Sequence, residues 1–164
     1  MKKNLNSFEK IIGVKFKNQN LLLQSLTHKS NNPLNNNEKL EFLGDRVLGL
    51  IISKNLYKLF PNDKEGDLDK KLASLVNRKR CVEISNYLSL KDYVLVGDNK
   101  ENSKIENKIL ADTVESIVGA LYLDQGLEVT EKFILNYWKK FLNEKLTIYR
   151  DPKTMLQEHS LKLY

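Results

Sequence analysis

Glu38, Glu41 and Asp45 stand in the run Asn37-Glu-Lys-Leu-Glu-Phe-Leu-Gly-Asp-Arg-Val-Leu48, and Asp112 and Glu115 in Ile109-Leu-Ala-Asp-Thr-Val-Glu115. At about 100° per residue the first three acids share an arc of about 60° on a helix, and the second two share one face of another. Both groups sit among apolar residues. Leu40, Leu43, Val47, Leu50 and Ile51 gather opposite the first, with Phe42, Leu48 and Ile52 flanking it. Leu110, Val114, Ile117 and Leu121 form a stripe away from the second. Burial of ionised carboxylates is costly unless something positive neutralises them, so these stripes ask for a bound cation or for basic side chains held close. If the two acidic faces meet, Glu41, Asp45, Asp112 and Glu115 form a nest of carboxylates, and oxygen-only ligation selects hard divalent cations such as Mg²⁺ or Mn²⁺. Zinc is disfavoured for want of Cys and His. A di-iron bundle requires Glu-x-x-His pairs, which neither His28 nor His159 completes. Such a centre suits phosphodiester hydrolysis, in which the cation acidifies water and stabilises the departing oxygen. The competing reading is of solvated helix faces with local salt bridges to Lys39, Arg46 or Lys108.

Helices must position these acids, and the pattern supplies little else. Apolar residues recur at helical spacing nearly throughout, so the fold is expected to be all-α. Phe8 to Ile12 and Asn20 to His28 read as short helices, the second with Leu21, Leu22, Leu23 and Leu26 inward. A turn-rich loop follows from Asn31 to Asn37. The first acidic helix runs from Glu38 to Leu59 and stops at Phe60-Pro61, since proline cannot continue it. Asp67 reads as the next N-cap, ahead of Leu68, Leu72, Leu75 and Val76, with a break near Asn77–Arg80 and a further helix from Val82 to Leu88. The one β-branched candidate, Tyr93-Val-Leu-Val96, is too short and unpartnered to count as a strand. A polar loop from Gly97 to Asn107 leads to the second acidic helix, Ile109 to Leu123, which Gly126 closes, and Leu127 to Leu146 is the last long helix. Asp151-Pro152 marks a fresh helix start.

The chain has 164 residues, 41% of them hydrophobic, enough for one well-packed domain. Its N-terminus lacks the features of a secretory signal and no stretch is long and apolar enough to span a membrane. Cys81 is the only cysteine, which excludes an intramolecular disulfide, fits a reducing cytoplasm and reads as a small core residue. The net charge of +6 favours a polyanionic partner. Clusters at Lys70-Lys71, Arg78-Lys79-Arg80 and Lys139-Lys140 suit phosphate attraction, though a solvated basic face has the same composition.

Leu26-Thr-His-Lys-Ser30, the Asn37–Leu48 run, Phe60-Pro61 with Glu65-Gly66-Asp67, and Ile109–Glu115 continuing to Tyr122-Leu-Asp124 together closely resemble the catalytic domain of bacterial ribonuclease III, from about Phe8 to Gln157. The resemblance implies an all-α, Mg²⁺-dependent endonuclease of double-stranded RNA, cytoplasmic, leaving 5′-phosphate and 3′-hydroxyl ends and processing rRNA and other structured precursors. Glu41, Asp45, Asp112 and Glu115 match the metal-binding acids, Asp45 and Glu115 those usually given the catalytic step, and Glu38 and Glu65 further cleft acids. It implies a homodimer with both sites in one valley. Phe42 is then a candidate for packing across the interface, and Gly44 and Gly49 permit close helix approach; the alternative is that all three serve the protomer core. His28 matches a structural position. Arg46 stands where the family often has Ser, and Asn102-Ser-Lys104 replaces the family's loop glycines. Residues 1–148 match the catalytic domain. Residues 149–164 match a linker and the truncated start of a double-stranded-RNA-binding domain, within which Gln157 resembles an RNA-contacting position. The other readings are a non-cleaving RNA-binding or assembly module of the same fold, and a smaller relative that naturally lacks the RNA-binding domain.

Overall fold

The computed structural model describes residues 4–97 and 105–149, with side chains described through residue 144. Seven α-helices occupy the described residues: α1 (Leu5–Ile12), α2 (Gln19–Ser25), α3 (Glu38–Leu59), α4 (Glu65–Leu75), α5 (Arg78–Tyr87), α6 (Asn107–Gln125) and α7 (Leu127–Tyr149), with a 3₁₀ turn at Leu90–Asp92. The fold is all-α, as the periodicity predicts. The loop at Asn102-Ser-Lys104 and the Asp151–Gln157 segment lie outside the described residues.

The α3–α6 pair is the axis of the structure. Leu40, Val47, Leu48, Ile51, Ile52 and Leu56 of α3 are buried with Leu110, Val114, Ile117, Val118 and Leu121 of α6. Two glycines bring the helices together. A methyl group on Gly44 would lie 1.7 Å from the Glu115 carbonyl oxygen, and one on Gly119 would lie 2.2 Å from the Leu40 carbonyl oxygen. No side chain fits between these backbones, so hydrogen is the only substituent the crossing tolerates. Gly44 therefore serves the protomer core, and Gly119 is its counterpart. Gly49 has nothing within 4 Å of such a methyl group and takes no part in this approach.

The remaining helices wrap this pair. Ser116 Oγ donates to the Ser25 carbonyl at 2.6 Å, tying α2 to α6. The buried Trp138 indole N–H donates to the Leu75 carbonyl at 2.9 Å, tying α7 to α4. Glu9 is buried, but its carboxylate accepts from Phe16 N–H at 2.7 Å and from Gln19 Nε2 at 2.6 Å, fixing the α1–α2 connection. Gly126, with φ of 79°, separates α6 from α7 where a side chain would be strained.

Several boundaries differ from the sequence reading for local reasons. α2 ends at Ser25 rather than at His28, because the next backbone groups pair elsewhere: Leu95 N–H donates to Leu26 O at 2.8 Å and His28 N–H to Leu95 O at 2.9 Å. This makes a single parallel bridge between Thr27 and Leu95, so Tyr93–Val96 is partnered after all. α4 starts at Glu65 after an extended Lys64, which puts Asp67 in the first turn instead of at the cap. Asn77 is the N-cap of α5, its side chain accepting from Arg80 N–H at 3.1 Å, so the expected break is confined to Val76 and Asn77. α1, α6 and α7 each extend beyond their expected ends.

Gly44→Ala and Gly119→Ala are expected to destabilise the protein by ~2–4 kcal/mol, the scale of severe overpacking, while Gly49→Ala changes stability by less than ~1 kcal/mol. Urea unfolding of the three variants checks this; equal effects at all three glycines would contradict the crossing as described.

Candidate metal centre

The α3–α6 crossing brings the two acid groups face to face. Gly44 lies three residues after Glu41 and directly before Asp45, and its neighbour across the crossing is the backbone of Glu115 itself. One carboxylate oxygen each from Glu41, Asp112 and Glu115 lie within 4.8 Å of one another. All three side chains are half-buried. Oxygen donors at this spacing fit a hard divalent cation.

The electrostatics of the three acids point the same way. Burial, and after it Asp45, Glu41 and Asp112, together push the Glu115 carboxyl up to about 7. Glu41 is raised by burial, then by Asp112 and Glu38. Asp112 is raised by burial, against the lowering influence of Lys108, Arg78, His28 and Lys29. Like charges are thus held together with incomplete compensation, which a divalent cation would relieve.

Asp45 is the exception to the expected nest. It is not among the converging three, and its carboxylate accepts from Arg46 Nη1. Arg46 in turn lies over the Phe42 ring, 4.5 Å from its centroid. For this one acid the local salt-bridge reading holds in the protein alone. Asp45 still borders the site, lining a shallow cleft with Glu38, Glu41, Phe42, Arg46 and Glu115.

A larger cleft of about 370 Å³ opens beside it, lined by Lys29, Asn37, Glu38, Glu41, Lys108 and Asp112 among others. Lys29 Nζ donates to Glu38 at 2.8 Å, which holds the Glu38 carboxyl below and the Lys29 ammonium above their ordinary ranges. Asn37 is buried, and its Nδ2 has no protein partner. His28 lines this cleft and is held in place there: its Nδ1 lies 2.8 Å from Ser30 Oγ, which also accepts from Gly97 N–H at 3.0 Å. Glu65 is placed elsewhere, exposed at the start of α4 beside an apolar groove formed by Leu50, Leu56, Tyr57, Leu68 and Leu72.

Two neighbours of the site carried no signal in the sequence. Cys81, fully buried on α5, donates its S–H to Glu115 Oε1 at 3.9 Å, and burial followed by Glu115 pushes its thiol up and keeps it protonated. Gly119 fixes the crossing. The basic clusters are partly consumed within the protein, since Lys71 pairs with Asp63, and Arg80 pairs with Glu83 and Glu144 while stacking on Phe141. Among the described residues no helix is long and apolar enough to cross a membrane.

Comparison with known proteins agrees with this geometry. A protein-family model described as Ribonuclease-III-like matches residues 18–142. Ribonuclease 3 of Pelagibacter ubique (strain HTCC1062) is 52% identical over 165 residues, covering 100% of this chain and 74% of that protein. Ribonuclease 3 of Coxiella burnetii (strain Dugway 5J108-111) is 42% identical over 159 residues, covering 94% and 68%. Among solved structures, the nuclease domain of ribonuclease III from Campylobacter jejuni superposes with a TM-score of 0.80 at 42% identity, covering 84% of this chain and 97% of that one; a region involved in its dimer formation is described as flexible. Dicer from Pichia stipitis superposes at 0.60 with 27% identity, covering 79% and 58%. The acids on α3 and α6, the crossing that joins them and these matches across nearly the whole chain agree: the protein is a member of the ribonuclease III family of endoribonucleases.

Proposed function

We propose that this endoribonuclease cleaves double-stranded RNA, processing rRNA and other structured precursors in the cytoplasm, and depends on a divalent cation held by Glu41, Asp45, Asp112 and Glu115. Mg²⁺ is the expected cation and Mn²⁺ its substitute. The observation that carries this reading is the convergence of the Glu41, Asp112 and Glu115 oxygens within 4.8 Å. When bound, such a cation supplies a more acidic water and stabilises charge on the phosphate and departing oxygen, yielding 5′-phosphate and 3′-hydroxyl ends. Asp45 and Glu115 carry the catalytic step. Glu115 gives up its proton near pH 7 in the protein alone, so cation loading at neutral pH is accompanied by proton release. Glu38, held by Lys29 at the mouth of the larger cleft, contacts substrate. A-form RNA is gripped through phosphates and 2′-hydroxyls, with sequence-independent attraction from exposed lysines such as Lys79, Lys139 and Lys140. Residues 1–148 constitute the catalytic domain, and residues 149–164 match a linker and the start of a double-stranded-RNA-binding domain. The full set of four acids argues against a non-cleaving assembly module.

The working unit is a homodimer. Phe42, Leu50 and Tyr57 are 65%, 59% and 75% exposed, and at 100° per residue they fall within about 80° of one another on α3. Large apolar side chains aligned beside an apolar groove form the kind of surface a second copy covers. Glu65 borders this groove and not the protomer's own acids, so it joins a catalytic cleft by way of the second copy.

Three measurements test this reading. Glu115→Gln is expected to lower Mg²⁺-dependent cleavage of a hairpin RNA by at least ~100-fold at low salt; unchanged cleavage would overturn the assignment. Without divalent cation, the Glu115 carboxyl, raised from 4.5 to about 7, makes the folded state bind more protons than the unfolded one across that range, and the raised carboxyls of Glu41 and Asp112 act in the same direction. The Glu115 contribution to stability is therefore present at low pH and lost as pH rises through about 7, and Glu115→Gln should be ~1–3 kcal/mol more stable than the parent at pH 8 in EDTA by urea unfolding. A less stable variant would contradict the like-charge crowding. Finally, Leu50→Glu should shift sedimentation toward the monomer with the fold intact, and an unaltered dimer would rule out this face.

A further inference from the structure

Three observations meet at Arg46. Its guanidinium donates to Asp45, its Cζ lies 4.5 Å from the Phe42 ring centroid, and Asp45 is the acid missing from the converging group. The pair is exposed, Arg46 by 61% and Asp45 by 43%, and joins adjacent residues of a helix. Neighbours at i and i+1 point about 100° apart, so the long arginine side chain must bend back to reach Asp45, with the ring four residues earlier as its shelf. An exposed pair of this kind adds little to folding stability and exchanges readily. Arginine also stays charged at every working pH and suits phosphate as well as carboxylate. Arg46 shares its shallow cleft with Glu41, Asp45 and Glu115, so a side-chain rotation is enough to exchange its partner.

We propose that Arg46 is a positioning residue that serves as the internal counter-ion of Asp45: it holds that carboxylate apart from Glu41, Asp112 and Glu115 until a divalent cation displaces it, and then turns to RNA phosphate. The proposal rests on the cation reading above. In the cation-free protein the guanidinium pairs with a carboxylate that borders the other three without joining their converging oxygens. During loading it makes Arg46 a competitor of the metal for Asp45. The released guanidinium, still seated on Phe42, lies at the rim of the same cleft with its donors free for a phosphodiester. Cation and RNA then reinforce each other, because an RNA phosphate that captures Arg46 also frees Asp45, and such coupling is reciprocal.

The test is a titration with Mn²⁺ alone, free Mn²⁺ being followed by electron paramagnetic resonance, on the parent, Arg46→Ser, Arg46→Lys and Glu115→Gln. Arg46→Ser is expected to bind Mn²⁺ ~2–5-fold more tightly than the parent, the scale of an exposed ion pair, and Arg46→Lys, which keeps the charge, to stay within ~2-fold of the parent. In hairpin cleavage Arg46→Ser should need less Mn²⁺ for half-maximal rate yet show a raised KM, two changes of opposite sign that a merely structural residue would not produce. Equal or weaker Mn²⁺ binding by Arg46→Ser overturns the proposal. If Glu115→Gln leaves Mn²⁺ binding unchanged, the cation reading itself falls; if it weakens binding while Arg46→Ser matches the parent, only the role of Arg46 falls.

Discussion

The contact on which the rest depends is the backbone-to-backbone approach of α3 and α6 at Gly44 and Gly119. A side chain at either position would drive the helices apart, and with them the acids that the crossing brings together. Glu41 and Asp45 flank Gly44, while Asp112 and Glu115 stand seven and four residues before Gly119, one or two helical turns along the same side. The function-bearing carboxylates are thus fixed by main chain, the least deformable part of the protein. The long apolar faces of both helices then hold the crossing in place.

This precision has an electrostatic consequence. Tight approach half-buries three carboxylates together: burial raises all three, and neighbouring acids add to the rise of Glu41 and of Glu115, which reaches about 7. The folded protein therefore carries a charge imbalance that its own lysines only partly offset, which marks the crossing as the candidate functional site and is the imbalance a divalent cation would relieve. Two devices temper the imbalance without removing it. The Cys81 thiol, buried beneath Glu115, supplies a weak donor, and Arg46 engages the remaining acid at the rim.

Much of this was legible in the sequence because it follows from helical periodicity. The limits of α3 and the pairing of Asp112 with Glu115 on one face derive from spacing, whereas the meeting of the two acidic faces is conditional on the crossing. What escaped depended on tertiary contacts that spacing does not encode. Leu50 belongs by periodicity with the core residues of α3 but lies exposed on the same side as Phe42 and Tyr57, because α6 covers only part of the apolar arc. Gly119 looked like any glycine in a helix, and its role appears only with Gly44 opposite. Asp45 fits the nest by spacing, yet the adjacent Arg46 reaches it first. The bridge between Thr27 and Leu95 joins segments too far apart in the chain for a local pattern to reveal.

A crystal of the protein soaked in Mn²⁺ and measured at an anomalous wavelength tests the central claim most directly. The account predicts one strong anomalous peak per protomer between α3 and α6, coordinated by Glu41, Asp112 and Glu115, with Asp45 turned toward it and away from Arg46. A peak elsewhere, or none at that crossing at saturating Mn²⁺, would contradict it.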